Sequence, residues 1–116
     1  MKNCYIVFIF LCFLSCNNDV ENIMVTGVIQ DDESKNPIKN TDLTITCWKY
    51  GNSPDQSYAE NEVKTVTTND KGIYKVEFDK GAYVEVKIYL RGYVDAHETE
   101  KIYRKKTTLD INLKRK

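Results

Sequence analysis

The chain has 116 residues, 41% of them hydrophobic, with 17 basic and 17 acidic side chains and a single histidine. That length supports one domain with one compact core. The balanced charge offers no basic surplus for a nucleic-acid backbone, and one histidine excludes a histidine-rich metal site.

In chain order, Lys2 gives a positive start and residues 5–14 form an uncharged apolar run. As a helix, ten residues reach roughly 15 Å against a hydrocarbon core about 30 Å thick, too short to span it. With small Ser15 behind it, the run has the proportions of a secretory signal peptide over residues 1–15. Its end, Phe13-Leu14-Ser15-Cys16, resembles the lipobox of bacterial lipoproteins, with a departure at Phe13, where Leu is usual. The resemblance implies a diacylglyceryl group on the Cys16 thiol, cleavage just before that residue and acylation of the new amine. It thus implies a membrane partner through a lipid anchor and an outer-membrane address, periplasmic or surface-exposed; an unmodified cysteine in a plain signal peptide, or an uncleaved anchor, is the alternative. Burial is worth about 0.8 kcal/mol per methylene, so two or three chains hold where one would not.

Residues 16–22, with "NNDVEN" after the cysteine, read as a flexible tether. Its acidic residues resemble the surface-export signals of some outer-membrane lipoproteins; a plain solvated linker is the alternative. Cys4 and Cys12 would leave with the leader and Cys16 would carry lipid, so Cys47 would stand alone. That expectation excludes an intrachain disulfide, a structural zinc site and a cysteine redox pair. Loss of Lys2 would leave a net charge of −1, with no surplus for adhesion to anionic lipid.

From residue 23 to 116 the pattern is period-two alternation, without a helical stripe. "MVTGVIQ" opens the domain with Val25, Gly27 and Ile29 on one face. "DDESKNP" supplies a turn, and "DLTITCWKY" sets Leu43, Ile45 and Cys47 against Thr44, Thr46, Trp48 and Tyr50. Residues 51–61 are the longest loop-like stretch. "EVKTVTT" and "IYKVEF" flank "NDKG", a hairpin signal with Gly72 available for positive φ, and "DKG" gives Gly81 the same role. "AYVEVKIYL" carries the cleanest apolar face, Val84, Val86, Ile88 and Leu90. "RGY" breaks that strand at Gly92, "DAHETEKIY" reads as an edge strand, and "TTLDINL" closes with Leu109, Ile111 and Leu113. Seven short strands with one apolar and one polar face predict an all-β fold, a single antiparallel β-sandwich; a closed barrel is the alternative.

"VTGVIQDDESKNPIKNTDLTI", "TVTTNDKGIYKVEF", "RGY" and "LDINL" together resemble the transthyretin-like (prealbumin-like), carboxypeptidase-regulatory-like domain. The pattern falls on Gly27, Asp31, Pro37, Thr68, Gly72, Tyr74, Gly92 and Tyr93. The resemblance implies a sandwich of about seven strands and no shared catalytic activity. Such domains occur as accessory modules of enzymes, in outer-membrane receptors and as small lipoproteins. A related sandwich family crosslinks Lys to Asn between its first and last strands. Here the first strand has no lysine and Asn112 lies on the face opposite Ile111, so that bond is not expected.

Function must come from a site. His97, with Asp95 and Thr99 on its face, reads as an exposed imidazole on an edge strand rather than a ligand. Cys47 reads as a core thiol, raised in pKa and a poor nucleophile, not as half of a dyad with His97. Asp31, Asp32 and Glu33 crowd a turn that lacks the spaced ligands of a calcium loop and reads as solvated. Among the remaining residues, Trp48, Tyr50, Tyr83 and Tyr89 fall on outward faces of two strands, with Tyr58 in the nearby loop. If those strands are neighbours, the aromatics form a platform for sugar rings or an envelope protein; cross-strand pairing is the structural alternative. No cofactor is expected. The reading is a non-enzymatic, lipid-anchored envelope module. A small enzyme or accessory domain of glycan or peptide processing, and a spacer or pilus-like component, are the rivals.

Overall fold

The computed structural model describes residues 19–50 and 58–116. The leader, Cys16 and most of the long loop lie outside the described residues. Eight strands follow in order: β1 (Val20–Asp31), β2 (Asp42–Tyr50), β3 (Tyr58–Thr67), β4 (Ile73–Gly81), β5 (Tyr83–Ile88), β6 (Ala96–Lys101), β7 (Lys106–Thr108) and β8 (Ile111–Leu113). One sheet runs β4-β1-β7, with β8 also paired to β1; the other runs β3-β2-β5-β6. Each has one apolar face, and stacking those faces is the way both leave water. Ile23, Val25, Ile29, Tyr74, Val76 and Phe78 of the first sheet meet Leu43, Ile45, Cys47, Val84, Val86 and Ile88 of the second in the buried core. The all-β sandwich read from the alternation is the fold observed.

Three local expectations change. β1 already pairs with β4 at Val20, so residues 20–22 of the expected tether are strand. The "NDKG" and "DKG" turns are not hairpins: β3 pairs with β2, β5 pairs with β2 and β6, and β4 pairs with β1, so both turns cross between sheets. Turn residues dictate a reversal but not the partner. Here the flanking strands belong to opposite sheets instead of bonding edge to edge. The closing strands, finally, run parallel to β1, so the first sheet is mixed.

The glycines at these crossings do different work. Gly72 is left-handed (φ 73°), and a Cβ there would sit 2.6 Å from the Ile29 carbonyl oxygen. Gly81 has no such φ; it is glycine because a Cβ would lie 2.2 Å from Cys47 Sγ.

β7 and β8 are one strand interrupted across Gly27 and Val28, which is why eight segments stand where about seven were expected. At the break Leu109 N donates to Thr26 O (2.9 Å) and the Asp110 carboxylate accepts from Val28 N (2.8 Å). Tyr74, directly opposite Gly27 and buried, donates its hydroxyl to the Leu109 carbonyl at 2.5 Å. A side chain on Gly27 would collide with that same carbonyl.

The far end of the sandwich is pinned by polar groups. Thr68 is buried; its hydroxyl donates to Ile38 O (2.8 Å) and accepts from Thr41 N (3.0 Å). Pro37 bridges to Gln30, and Gly92 (φ 90°) turns the chain so that Tyr93 reaches Asp31. Every residue that carried the family resemblance therefore acts on the fold.

The rims are guarded. β6 is an edge strand, as expected, and Glu98 and Glu100 occupy its core-side positions yet remain exposed, a charge pattern that discourages another chain from pairing there. On the opposite rim Lys64 of β3 lies over the Phe78 ring (5.1 Å to its centroid) and donates to Glu77 O at 2.6 Å, closing the seam between β3 and β4.

Candidate functional site: the open face of the second sheet

β2 and β5 are neighbours, and their register sets Trp48 directly opposite Tyr83 on the solvent face. One step inward on that face, Glu85 stands between β2 and β6. Its carboxylate accepts from Trp48 Nε1 at 2.7 Å through one oxygen and meets His97 Nε2 at 2.6 Å through the other. Partial burial pushes the Glu85 pKa up, but the hydrogen bonds from His97 and Trp48 outweigh it and hold the carboxyl below its ordinary value. The indole plane is thereby fixed on a face that also carries Thr44, Thr46, Thr65, Lys87 and Thr99, with Asn61 opposite Trp48 and the exposed Val63 opposite Thr46.

The aromatic set is only partly brought together. Trp48 and Tyr83 are adjacent and half-buried. Residues 58–61, expected in the loop, begin β3 instead; Tyr50 and Tyr58 pair across a bulge at the end of the β2–β3 ribbon, so their backbones lie two positions beyond Trp48. Tyr89 is 66% exposed but follows β5, six residues from Tyr83, about 20 Å away along an extended strand. It does not belong to the same patch.

His97 is exposed on the edge strand, and its partner is Glu85 rather than Asp95 or Thr99. Cys47 is fully buried, its pKa pushed up to about 11 by desolvation, and its Sγ rests 3.7 Å from the Lys80 carbonyl. It is a core thiol, as read. The acidic turn departs from expectation. Asp31 is not solvated but 1% exposed. One of its oxygens accepts from the amides of Glu33 and Ser34 (both 2.9 Å), the other from Tyr93 Oη (2.8 Å) and Arg115 Nε (2.7 Å). The Ser34 amide, Arg115 and Tyr93 hold its carboxyl far below the ordinary range, burial notwithstanding. Those contacts occupy the oxygens that a calcium ion would need. Among the described residues no three His, Cys, Asp or Glu side chains converge as metal ligands. Asn112 accepts from Gln30 Nε2 (3.0 Å) across the first and last strands, where no lysine stands.

Two shallow, open grooves follow the rims. One of about 320 Å³ runs beside Lys64, Phe78 and Asn22. The other, about 370 Å³, separates β6 from β7 and is lined by Lys101, Tyr103, Arg104 and Lys106 with Glu100. Neither Glu85 nor this basic run was singled out by sequence reasoning. The signal for the run was present: four basic residues and no acid within residues 101–106. Glu85 had none, because one donor, Trp48, lies 37 residues away and the other, His97, reaches it only through the β5–β6 register.

Neither a family model nor a curated protein sequence matches the chain. Solved structures do match it. The catechol 1,2-dioxygenase of Acinetobacter radioresistens superposes with a TM-score of 0.61 at 12% identity, over 84% of this chain and 53% of the enzyme. The chlorocatechol 1,2-dioxygenase of Pseudomonas putida gives 0.56 at 12%, over 82% and 61%. The C-terminal domain of the shaft pilin spaA from Lactobacillus rhamnosus GG gives 0.56 at 12%, over 84% of this chain and 100% of that domain. The chain thus spans about half the length of the first of these enzymes, and at such identities the likeness is one of fold.

Proposed function

We propose that this chain is a lipid-anchored, non-enzymatic module of the bacterial cell envelope, in which the β-sandwich presents the outer face of its second sheet to a partner. The carrying observation is the Trp48–Tyr83 pair, whose indole is fixed by a carboxylate that also engages His97. A flat aromatic face flanked by hydrogen-bonding threonines suits a sugar ring, with stacking on the apolar side and hydroxyl contacts at the rim. An envelope protein is the other partner class. The transthyretin-like resemblance fits this role, since such domains serve as accessory modules.

Trp48 is the chain's one tryptophan, so its emission reads this face alone. Titration of the isolated native protein with envelope polysaccharide fragments should shift or quench that emission, and Trp48→Ala with Tyr83→Ala should abolish binding measured calorimetrically. Undiminished binding by the double variant would remove the platform.

A structural role has its own support in the pilin domain, which this chain covers over its whole length. On that reading the protein would assemble with itself. Sedimentation showing concentration-dependent association that survives loss of Trp48 and Tyr83 would favour it.

A further inference from the structure

The strand order gives the sandwich two distinct poles. At the pole where β1 begins lie Val20, the β4–β5 turn at Gly81, the β2 and β3 ends at Tyr50 and Tyr58, and the connection between β6 and β7. The opposite pole holds the Asp31 corner and the "NDKG" turn.

The β6–β7 connection carries Lys101, Arg104, Lys105 and Lys106, all exposed, with Tyr103 77% exposed among them. None of these four cations makes an ion pair among the described residues; Lys105 Nζ reaches only the Glu21 carbonyl, at 3.5 Å. The segment is held in place by its backbone: Met24 N donates to Lys105 O (2.6 Å) and Ile102 N to Ala82 O (2.9 Å). Ile102 is buried beneath it. Charges and phenol are thus projected outward by a fixed support.

Cys16 is four residues from Val20, a span of at most about 14 Å. If an acyl chain sits on Cys16, this pole cannot leave the lipid headgroups. We propose that residues 101–106 form a membrane-docking edge that seats on phosphate-bearing headgroups of the same bilayer and sets the orientation of the sandwich. The inference rests on the lipid-anchor reading for its geometry. Its chemistry is charge complementarity: clustered cations opposite anionic phosphates, with an exposed tyrosine at headgroup depth. Glu100 borders the groove and Glu21 lies beside Lys105, so the cations outnumber the acids at this edge, and net charge gave no hint of it because the remaining acids cancel the cluster in the sum.

The test uses the full chain as isolated from membranes, with a dye on Thr108→Cys beside the groove. The protein is placed in phosphatidylcholine vesicles, with or without phosphatidylglycerol, carrying a headgroup-level quencher. Phosphatidylglycerol should increase quenching, and 1 M salt, with a Debye length of about 3 Å, should reverse it. Each cation contributes about fivefold to the docked population, so K101Q/R104Q/K105Q/K106Q should reduce that population at least tenfold. The salt arm needs none of these four substitutions and stands even if the quadruple variant folds poorly. Equal quenching on both lipids would overturn the proposal. So would equal quenching of a dye on Lys71→Cys at the other pole, or lipid-independent quenching that heparin alone relieves. The mass of the mature N-terminus reports separately on the anchor. Acyl mass without phosphatidylglycerol dependence sinks the docking edge alone; dependence without acyl mass sinks the anchor alone.

Discussion

Asp31 and Glu85 are both carboxylates that gather donors from distant parts of the chain, yet they sit in opposite surroundings. Asp31 is sealed into the corner between β1 and the closing residues, with four donors, two of them backbone amides. Glu85 lies on the open sheet with two side-chain donors, one of them an exposed imidazole. A carboxylate that is itself buried and saturated by two backbone amides, a phenol and a guanidinium holds a fold together. One on the open sheet that is met only by two side chains fixes their orientation and leaves less of the fold depending on it.

The largest effect should come from Asp31→Ala, which strands two amides and the Tyr93 hydroxyl together. Its melting temperature should fall further than that of any variant below, and a fall no greater than that of His97→Gln would erase the distinction between corner and face. The same residue sets an acid limit. Its folded pKa lies below its unfolded value near 3.9, so the unfolded chain binds more protons between the two. The stabilisation is fully present above the unfolded value and drains away as pH falls toward the folded one. Thermal melts from pH 5 downward should show this slope in the native protein and a flatter one in Asp31→Asn.

Next comes Tyr93→Phe, which removes one donor to a charged acceptor and should cost about 1.5–3 kcal/mol in urea unfolding. On the open face Trp48→Phe keeps the ring but deletes the bond to Glu85. A cost of about 0.5–1.5 kcal/mol is expected, with a larger proportional effect on partner binding than on stability. His97→Gln, at an exposed pair, should change stability by at most about 1 kcal/mol. A cost for His97→Gln equal to that of Tyr93→Phe would mean the face is as structural as the corner.

Much of the architecture was legible in the alternation of apolar residues. Leu43, Ile45 and Cys47, or Val84, Val86 and Ile88, declare a buried face whatever their strand pairs with, and all are buried. Pairing was not legible. Gly72 and Gly81 mark reversals, but whether β4 turns back beside β3 or crosses the core depends on which strand offers it a better neighbour, and that neighbour is β1, more than forty residues upstream. The Asp31 corner was half visible: an Asp followed by polar residues suggests a side chain capping the amides of the turn. Its other half, Tyr93 and Arg115, lies 62 and 84 residues away. The aromatic face was visible as outward parity in two strands. That they would be neighbours, and that Tyr89 would fall outside the patch, depended on register.

The parallel pairing of β1 with β7 and β8 has a mechanical corollary. The chain enters at one pole along β1 and leaves at the other along β8, so traction between its two termini draws adjacent strands lengthwise past each other. All the bonds joining them are then strained at once instead of parting one by one like a zipper, and Tyr74 and Asp110 add side-chain bolts at the interruption. Pulled by its two ends, this body should yield at a far higher force than a hairpin of equal length.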